Sequence, residues 1–199
     1  MYGSAVYMEN VLKKSLIKKI IYVAIVTVLT IIDQVTKYLV VMYLKPVGSV
    51  PLLSAGDTHI LDLTYCENTG MSFSLLEGQR FILIAIPLIL IVGVTVIVFM
   101  EKLGSKRTDV MIALAALAGG GLGNLIDRVF QGYVVDFIDF RIINFAIFNF
   151  ADICAVCGGI YFGIMIAVEE IKEDKAKKTA KENEIAENSG EKESGNEEA

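Results

Sequence analysis

Residues 20–43 read IIYVAIVTVLTIIDQVTKYLVVMY, and the fold turns on how this run is understood. Its length matches the roughly 20 helical residues needed to cross a bilayer core, yet Asp33 and Lys37 sit inside it. A charge at such a depth needs a partner or a job. Four positions apart, the two side chains share one helix face, so an Asp33–Lys37 pair is geometrically natural. The run is no cleavable signal peptide: it is too long, it carries both charges, and no small-residue cleavage site follows.

Working outward, three more stretches are long and apolar enough to span. Residues 81–100, FILIAIPLILIVGVTVIVFM, carry no charge; residues 110–126, VMIALAALAGGGLGNLI, hold glycines suited to close helix packing in lipid. The fourth runs from about 150 to 168. The chain of 199 residues is 54% hydrophobic, and its net charge of −5 comes largely from the tail. That tail, with KEDKAKKTAKENEIAENSGEKESGNEEA at residues 172–199, has almost no large apolar side chains and is expected to be disordered from 169 onward. The expected organisation is a segment over 1–19, a membrane domain over 20–168 and a charged tail over 169–199. The class is mainly α, an integral-membrane bundle of four helices. No basic cluster is interleaved with aromatics, so no nucleic-acid partner is expected.

Basic residues set the orientation. Lys13, Lys14, Lys18 and Lys19 precede the first span; Lys102, Lys106 and Arg107 lie between spans two and three; Lys172, Lys175, Lys177 and Lys178 follow the fourth. The other side holds only Lys45, Arg80, Arg128 and Arg141. The positive-inside rule then predicts cytoplasmic termini and outward loops over 44–80 and 127–149. In the first loop the alternating run HILDLTY (59–65) predicts a small extracellular β element. The second, rich in aromatic and β-branched residues, is expected to lie on the membrane surface as a loop or short helix.

Depth brings the polar residues to one level. Asp33 lies about 13 residues into its span, roughly 20 Å at about 1.5 Å per residue, with Lys37 one turn further out. Asn124, Asp127 and Arg128 end the third span, Asn149 and Asp152 open the fourth, and Asn68 and Gly70 come just before the second. Pinning the bundle together would explain any one of them; polar groups from all four spans at one depth point to a functional site.

The inventory restricts the chemistry. Ser72 and Ser74 have no base marked out beside them. His59 is the single histidine and reads as a loop residue without a role. Cys154 and Cys157 have C-x-x-C spacing inside an apolar run with no second ligand pair, and Cys66 stands apart, so the thiols read as packing and no metal is expected. Two carboxylates close together in low dielectric do not both ionise easily; one holds a proton while the other acts as a base. Such a pair activates water and polarises a carbonyl, the aspartic-peptidase route to amide hydrolysis. The candidates are Asp127, Asp136, Asp139 and Asp152. Asp139, near Arg141, looks solvated. Spacing favours Asp136 with Asp152 only modestly over Asp127 with Asp152.

At this point the chain resembles lipoprotein signal peptidase (signal peptidase II) over about residues 20–165. DQVTK (33–37), ENTGMSFSLL (67–76), GGGLGNLIDRVFQGYVVDFIDF (119–140) and FNFAD (148–152) look like that family's boxes, in order. The resemblance implies a catalytic dyad of Asp136 and Asp152. It implies substrate-binding or supporting roles for Asp33, Lys37, Asn68, Gly70, Asn124, Arg128, Asn149 and Ala151, and a structural one for Asp127. The implied reaction removes a signal peptide just before a diacylglyceryl-modified cysteine, in the bacterial cytoplasmic membrane. It needs no metal or organic cofactor. The implied partners are diacylglyceryl prolipoprotein and membrane lipid, the implied working state is a monomer, and globomycin-type cyclic peptides are the implied inhibitors. Two departures stand out: Ser72 replaces a usual alanine, and the segment between Asp136 and Asp152 is a residue or two short.

Two other classes compete. An ion-coupled transporter would use Asp33, Asp127 and Asp152 as a relay, but transporters place sites near the midplane and often carry internal repeats. A membrane scaffold would use the polar cluster as structure alone.

Overall fold

The computed structural model describes residues 2–70, 76, 78–100, 107–143 and 145–194; Ser72, Ser74, Lys102 and Lys106 lie outside them. Helix α1 (Tyr2–Leu39) runs into a π-helical turn at Val40–Leu44. Strands β1 (Ser49–Ala55) and β2 (Thr58–Asn68) follow, then α2 (Arg80–Phe99), α3 (Thr108–Phe130), β3 (Val134–Phe140) and α4 (Phe150–Ser194). Among the described residues, four helices are long and apolar enough to cross a membrane.

Helix α3 is the hub. Some 56% of its most apolar window is buried, against 6%, 17% and 11% for the windows of α1, α2 and α4, whose apolar side chains mostly face outward. The run Gly119-Gly120-Gly121 explains how one helix touches three. Successive residues on a helix point about 100° apart. A Cβ on Gly119 would sit 3.2 Å from Leu29 Cβ of α1, and one on Gly121 would sit 3.3 Å from Ile91 Cγ1 of α2. One on Gly120 would run into the Ala151 carbonyl of α4. Each glycine thus removes the side chain that would hold one neighbour away. Further down, Gly158 of α4 meets α3, where a Cβ would lie 2.5 Å from the Ala113 carbonyl oxygen. Hydrogen bonds add to this packing, between Tyr22 and Thr95 hydroxyls at 3.0 Å and from Thr30 Oγ1 to the Gly119 carbonyl at 3.2 Å.

At one end of the bundle lies an antiparallel sheet of order β1-β2-β3. The β1–β2 hairpin closes between Ala55 and Thr58. Gly56 takes φ +60° there, the positive value that a two-residue hairpin turn wants at its first position. The alternating run over 59–65 forms the middle strand, as expected. The second connection is more ordered than a surface loop or short helix, because its first half is β3. Val134, Val135, Phe137 and Ile138 suit a pleated, half-buried surface, and β2 offers them an edge to pair with. Register sets Asn68 opposite Val134 and Cys66 opposite Asp136. Phe148 closes back by a bridge to Ile138 and stacks on Phe140 at 5.9 Å.

Arg141 ties the sheet together, with Nε 2.9 Å from Asp62 and 3.1 Å from Asp139. Asp139 is therefore not solvated; it is 6% exposed and also accepts from Thr64 Oγ1 at 2.9 Å. His59 lies on β2, not in a loop, with Nδ1 3.1 Å from Asp62. Burial pushes Asp62 upward, but His59 and Arg141 together hold its carboxyl below the usual range.

The chain divides into two compact units, Met1–Ile160 and Tyr161–Ala199. In the second, α4 stays helical to Ser194, where composition leads one to expect disorder from 169. Lysine, glutamate and alanine are strong helix formers, and Glu173 and Lys177 stand in i,i+4 register at 3.9 Å.

Candidate active site

The start of α4 is built by its own sequence, Asn149-Phe150-Ala151-Asp152. Asn149 Oδ1 accepts from the Asp152 N–H at 3.0 Å, and Asp152 Oδ2 accepts from the Asn149 N–H at 3.0 Å. This reciprocal capping box satisfies two N–H groups that a helix start leaves orphaned. A third, on Ala151, goes to Asp33 Oδ1 of α1 at 3.1 Å. Capping alone would explain one oxygen of Asp152. The other, Oδ1, accepts from Asn124 Nδ2 at 2.7 Å, and that bond leads to a larger arrangement.

Asn124 can present its NH2 to Asp152 because its oxygen is already engaged, by Lys37 Nζ at 2.8 Å and Asn149 Nδ2 at 3.0 Å. Asn149 Nδ2 also donates to Asp136 Oδ1 at 2.6 Å. On the far side, Asn68 Nδ2 donates to Asp136 Oδ2 at 2.9 Å, while Asn68 Oδ1 takes the Gly70 N–H at 3.0 Å. Three carboxamides therefore hold the two aspartates, each amide with its orientation set by a second bond.

Beneath them lies a buried ionic group. Lys37 is 3% exposed, and its Nζ lies 2.8 Å from Asp33 Oδ2 and 3.0 Å from Asp127 Oδ2, so with Asn124 all three of its donors are used. The expected i,i+4 pair is formed. Asp127 also accepts the Val135 N–H at 3.2 Å, which anchors the start of β3. Gly123 lets Asp33 come close to α3, since a Cβ there would run into Asp33 Oδ2.

Asp136 and Asp152 line one cleft with Asn68, Asn124, Arg128, Val134 and Ile147. Arg128 spends Nη2 on the Gly70 carbonyl at 3.0 Å rather than on either carboxylate. Its Nε is buried with no hydrogen-bond partner among the described residues. Asp136 is 2% exposed; burial and the neighbouring charge of Asp152 raise its pKa to about 6, against the bonds from Asn68 and Asn149 that lower it. The arrangement is therefore suited to sharing one proton between two carboxyls at the edge of an open cleft.

All ten residues singled out in the sequence meet here: Asp33, Lys37, Asn68, Gly70, Asn124, Arg128, Asp136, Asn149, Ala151 and Asp152. Three things were missed. The N-x-x-D capping box precedes an apolar run and could have been read directly. Asp127 reaches β3 through its neighbour's backbone, which spacing does not reveal. Gln34 donates from Nε2 to Asp127 Oδ1 at 3.0 Å and to the Gly123 carbonyl at 3.1 Å, and nothing in the sequence marked it.

Comparison with known proteins matches residues 25–168 to the family model described as Signal peptidase (SPase) II. A lipoprotein signal peptidase of Caldanaerobacter subterraneus subsp. tengcongensis is 42% identical over 144 residues, 72% of this chain and 94% of that protein. One from Brevibacillus brevis is 38% identical over 137 residues, 69% of this chain and 88% of that protein. A solved structure described as a bacterial membrane enzyme, determined by the in meso method, superposes with TM-score 0.62 at 31% identity, covering 77% of this chain and 90% of its own.

Proposed function

We propose that Asp136 and Asp152 are the catalytic dyad of this chain, which belongs to the signal peptidase II family. The protein is an aspartic endopeptidase that removes signal peptides from prolipoproteins. The observation that carries the dyad is the pair of cleft carboxylates held, among the described residues, by amide donors, with Asp136 raised to about 6. Asp136, buried and hard to ionise, holds the proton. Asp152 acts as the base: it takes a proton from water while the water oxygen attacks the scissile carbonyl carbon, and Asp136 protonates the carbonyl oxygen. The tetrahedral species collapses as Asp152 returns its proton to the departing nitrogen, the C–N bond breaks, and Asp136 recovers the hydroxyl proton.

The substrate is a prolipoprotein whose cysteine already carries a diacylglyceryl group, cut just before that cysteine. The lipid keeps the scissile bond at the membrane surface, and a cleft at the sheet end of the bundle is well suited to meet it. Arg128, with one donor unspent, and the Asn68–Gly70 segment are the groups to hold the substrate backbone. The lysine bias supports cytoplasmic termini and a sheet on the outer side of the bacterial cytoplasmic membrane. The enzyme works as a monomer among lipids, and globomycin-type peptides occupy the same cleft.

The test incubates purified protein with a diacylglyceryl prolipopeptide and follows the size shift. Asp136→Asn and Asp152→Asn, both folded by thermal unfolding, should cleave at least a thousandfold more slowly. Wild-type rates in either would remove the assignment.

A further inference from the structure

We propose that Gln34 and Lys37, on one face of α1, set the spacing of the two catalytic aspartates by clamping the buried carboxylates Asp33 and Asp127. The inference rests on reading Asp136 and Asp152 as the dyad.

The geometry repeats on both sides. The residue before Asp152 is Ala151, and its N–H is held by Asp33 Oδ1 at 3.1 Å. The residue before Asp136 is Val135, and its N–H is held by Asp127 Oδ2 at 3.2 Å. Each dyad member is therefore positioned by a carboxylate gripping the peptide just ahead of it. The two gripping carboxylates are joined twice. Lys37 Nζ bridges Asp33 Oδ2 and Asp127 Oδ2 at 2.8 and 3.0 Å. Gln34 Nε2, with two N–H donors, gives one to Asp127 Oδ1 at 3.0 Å and one to the Gly123 carbonyl at 3.1 Å, and shares a hydrogen with Asp33 Oδ2 at 3.3 Å. The α4 and β3 ends of the site thus depend on one turn of α1, from which neither aspartate comes.

Energetics favour positioning over stability as the reason for this group. A buried ion pair recovers its desolvation cost only with good geometry, and apolar replacements of similar volume are often neutral or better. A helix whose other faces look into lipid would lose little by replacing these residues with leucine. What an apolar contact lacks is direction: hydrogen bonds fix distance and angle together, and a displacement near 1 Å in a reacting pair can cost about a hundredfold in rate. Gln34 is the informative member. It is neutral and half-buried, and it touches neither the cleft nor the dyad. It is a positioning residue, not a catalytic one.

The test uses the full chain in detergent with a diacylglyceryl prolipopeptide, measuring kcat and KM separately. Gln34→Met keeps length and loses the donor; kcat should fall about tenfold with KM within about twofold. Because Gln34 acts through Asp127, adding Gln34→Met to Asp127→Asn should cost little more than Asp127→Asn alone. Thr36→Val, which removes a bond to the Asp33 carbonyl of its own helix, should leave kcat unchanged. If Gln34→Met does not fold, Gln34→Asn, one methylene short of reaching, serves for the same comparison. Unchanged kcat in a folded Gln34 variant, a loss in KM alone, or additive losses with Asp127→Asn would each overturn the clamp. Cleavage by Asp136→Asn at the wild-type rate would instead remove the dyad reading on which it stands.

Discussion

Asn149→Asp separates the two jobs that one side chain performs. Asn149 Oδ1 caps α4 by accepting the Asp152 N–H at 3.0 Å, while Nδ2 donates to Asp136 Oδ1 at 2.6 Å and to Asn124 Oδ1 at 3.0 Å. Aspartate caps as well as asparagine, so the first job survives. The second is inverted, because an oxygen now faces two acceptors. Two charges 2.6 Å apart repel by about 6 kcal/mol at an effective dielectric near 20, over four pKa units at about 1.4 kcal/mol each. The pair therefore cannot ionise together, and the proton that Asp136 holds is trapped between position 149 and Asp136. Asp136 no longer presents its own proton to substrate. Losing a hydrogen bond to a charged group costs about 1.5–3 kcal/mol, which places kcat roughly 10- to 150-fold below wild type. Asn149→Ala loses the cap as well, about 1 kcal/mol more in stability. Prolipopeptide cleavage gives kcat, and unfolding in the same detergent gives Tm. A folded Asn149→Asp at wild-type kcat from about pH 5 to 8 would refute the amide scaffold. A lower Tm for Asn149→Asp than for Asn149→Ala at about pH 6 would refute the capping box.

Two further outcomes follow from burial. A Cβ at Gly120 would meet the Ala151 carbonyl and lie 2.8 Å from the Ala155 nitrogen, so Gly120→Ala must push α4 off α3. It should lower stability by about 1–3 kcal/mol and lower kcat too, because Asp152 starts that helix; a Tm within a degree of wild type would show that the helices do not approach as described. Asp136 is raised from its ordinary value to about 6, so the stability it contributes is complete below about 3.8 and lost as pH rises through about 6. The Tm of wild type minus that of Asp136→Asn should therefore fall between about pH 3 and 7, by the equivalent of about 3 kcal/mol. A flat difference would show that Asp136 is solvated.

Much of this was visible in the residues, for identifiable reasons. Helices in lipid must satisfy their backbones internally, so apolar length alone located all four. The Asp33–Lys37 pair follows from i,i+4 geometry on one helix, and the meeting of Asn124, Asp152 and Lys37 follows from depth along spans of known rise. Partner choice between elements was not visible. Nothing local says that β3 would take the β2 edge and carry Asp136 opposite Cys66, and so spacing left Asp127 and Asp136 nearly equal. The two differ physically: Asp127 is closed in by Lys37, Gln34 and a backbone N–H, whereas Asp136 opens on the cleft. The glycine run signalled close packing, but that its three members serve three different helices depends on where those helices stand.

The division of polar residues into two layers has a reason of its own. A cation bonded directly to the dyad would favour two ionised carboxylates and remove the shared proton on which the chemistry depends. Carboxamides orient a carboxylate without changing its charge, and Asn68, Asn124 and Asn149 are the groups in contact with Asp136 and Asp152. The site still needs a stiff link to α1, and there a charge is useful because ionic hydrogen bonds are the stronger ones. Lys37 is accordingly set one layer deeper, paired with Asp33 and Asp127, and it meets the dyad through the neutral oxygen of Asn124 and through the two carboxylates that hold the peptides just ahead of the dyad. The amide passes on position, and the lysine charge lowers the pKa of Asp136 less than burial and the Asp152 charge raise it. Lys37→Met should then act mainly by loosening Asn124, Asp33 and Asp127 and only weakly through the field at Asp136, so kcat should fall while the pH at which activity is half lost stays within about half a unit. A shift of a full unit or more would mean that the lysine charge weighs on the dyad as a direct contact would, and that the layering argument fails.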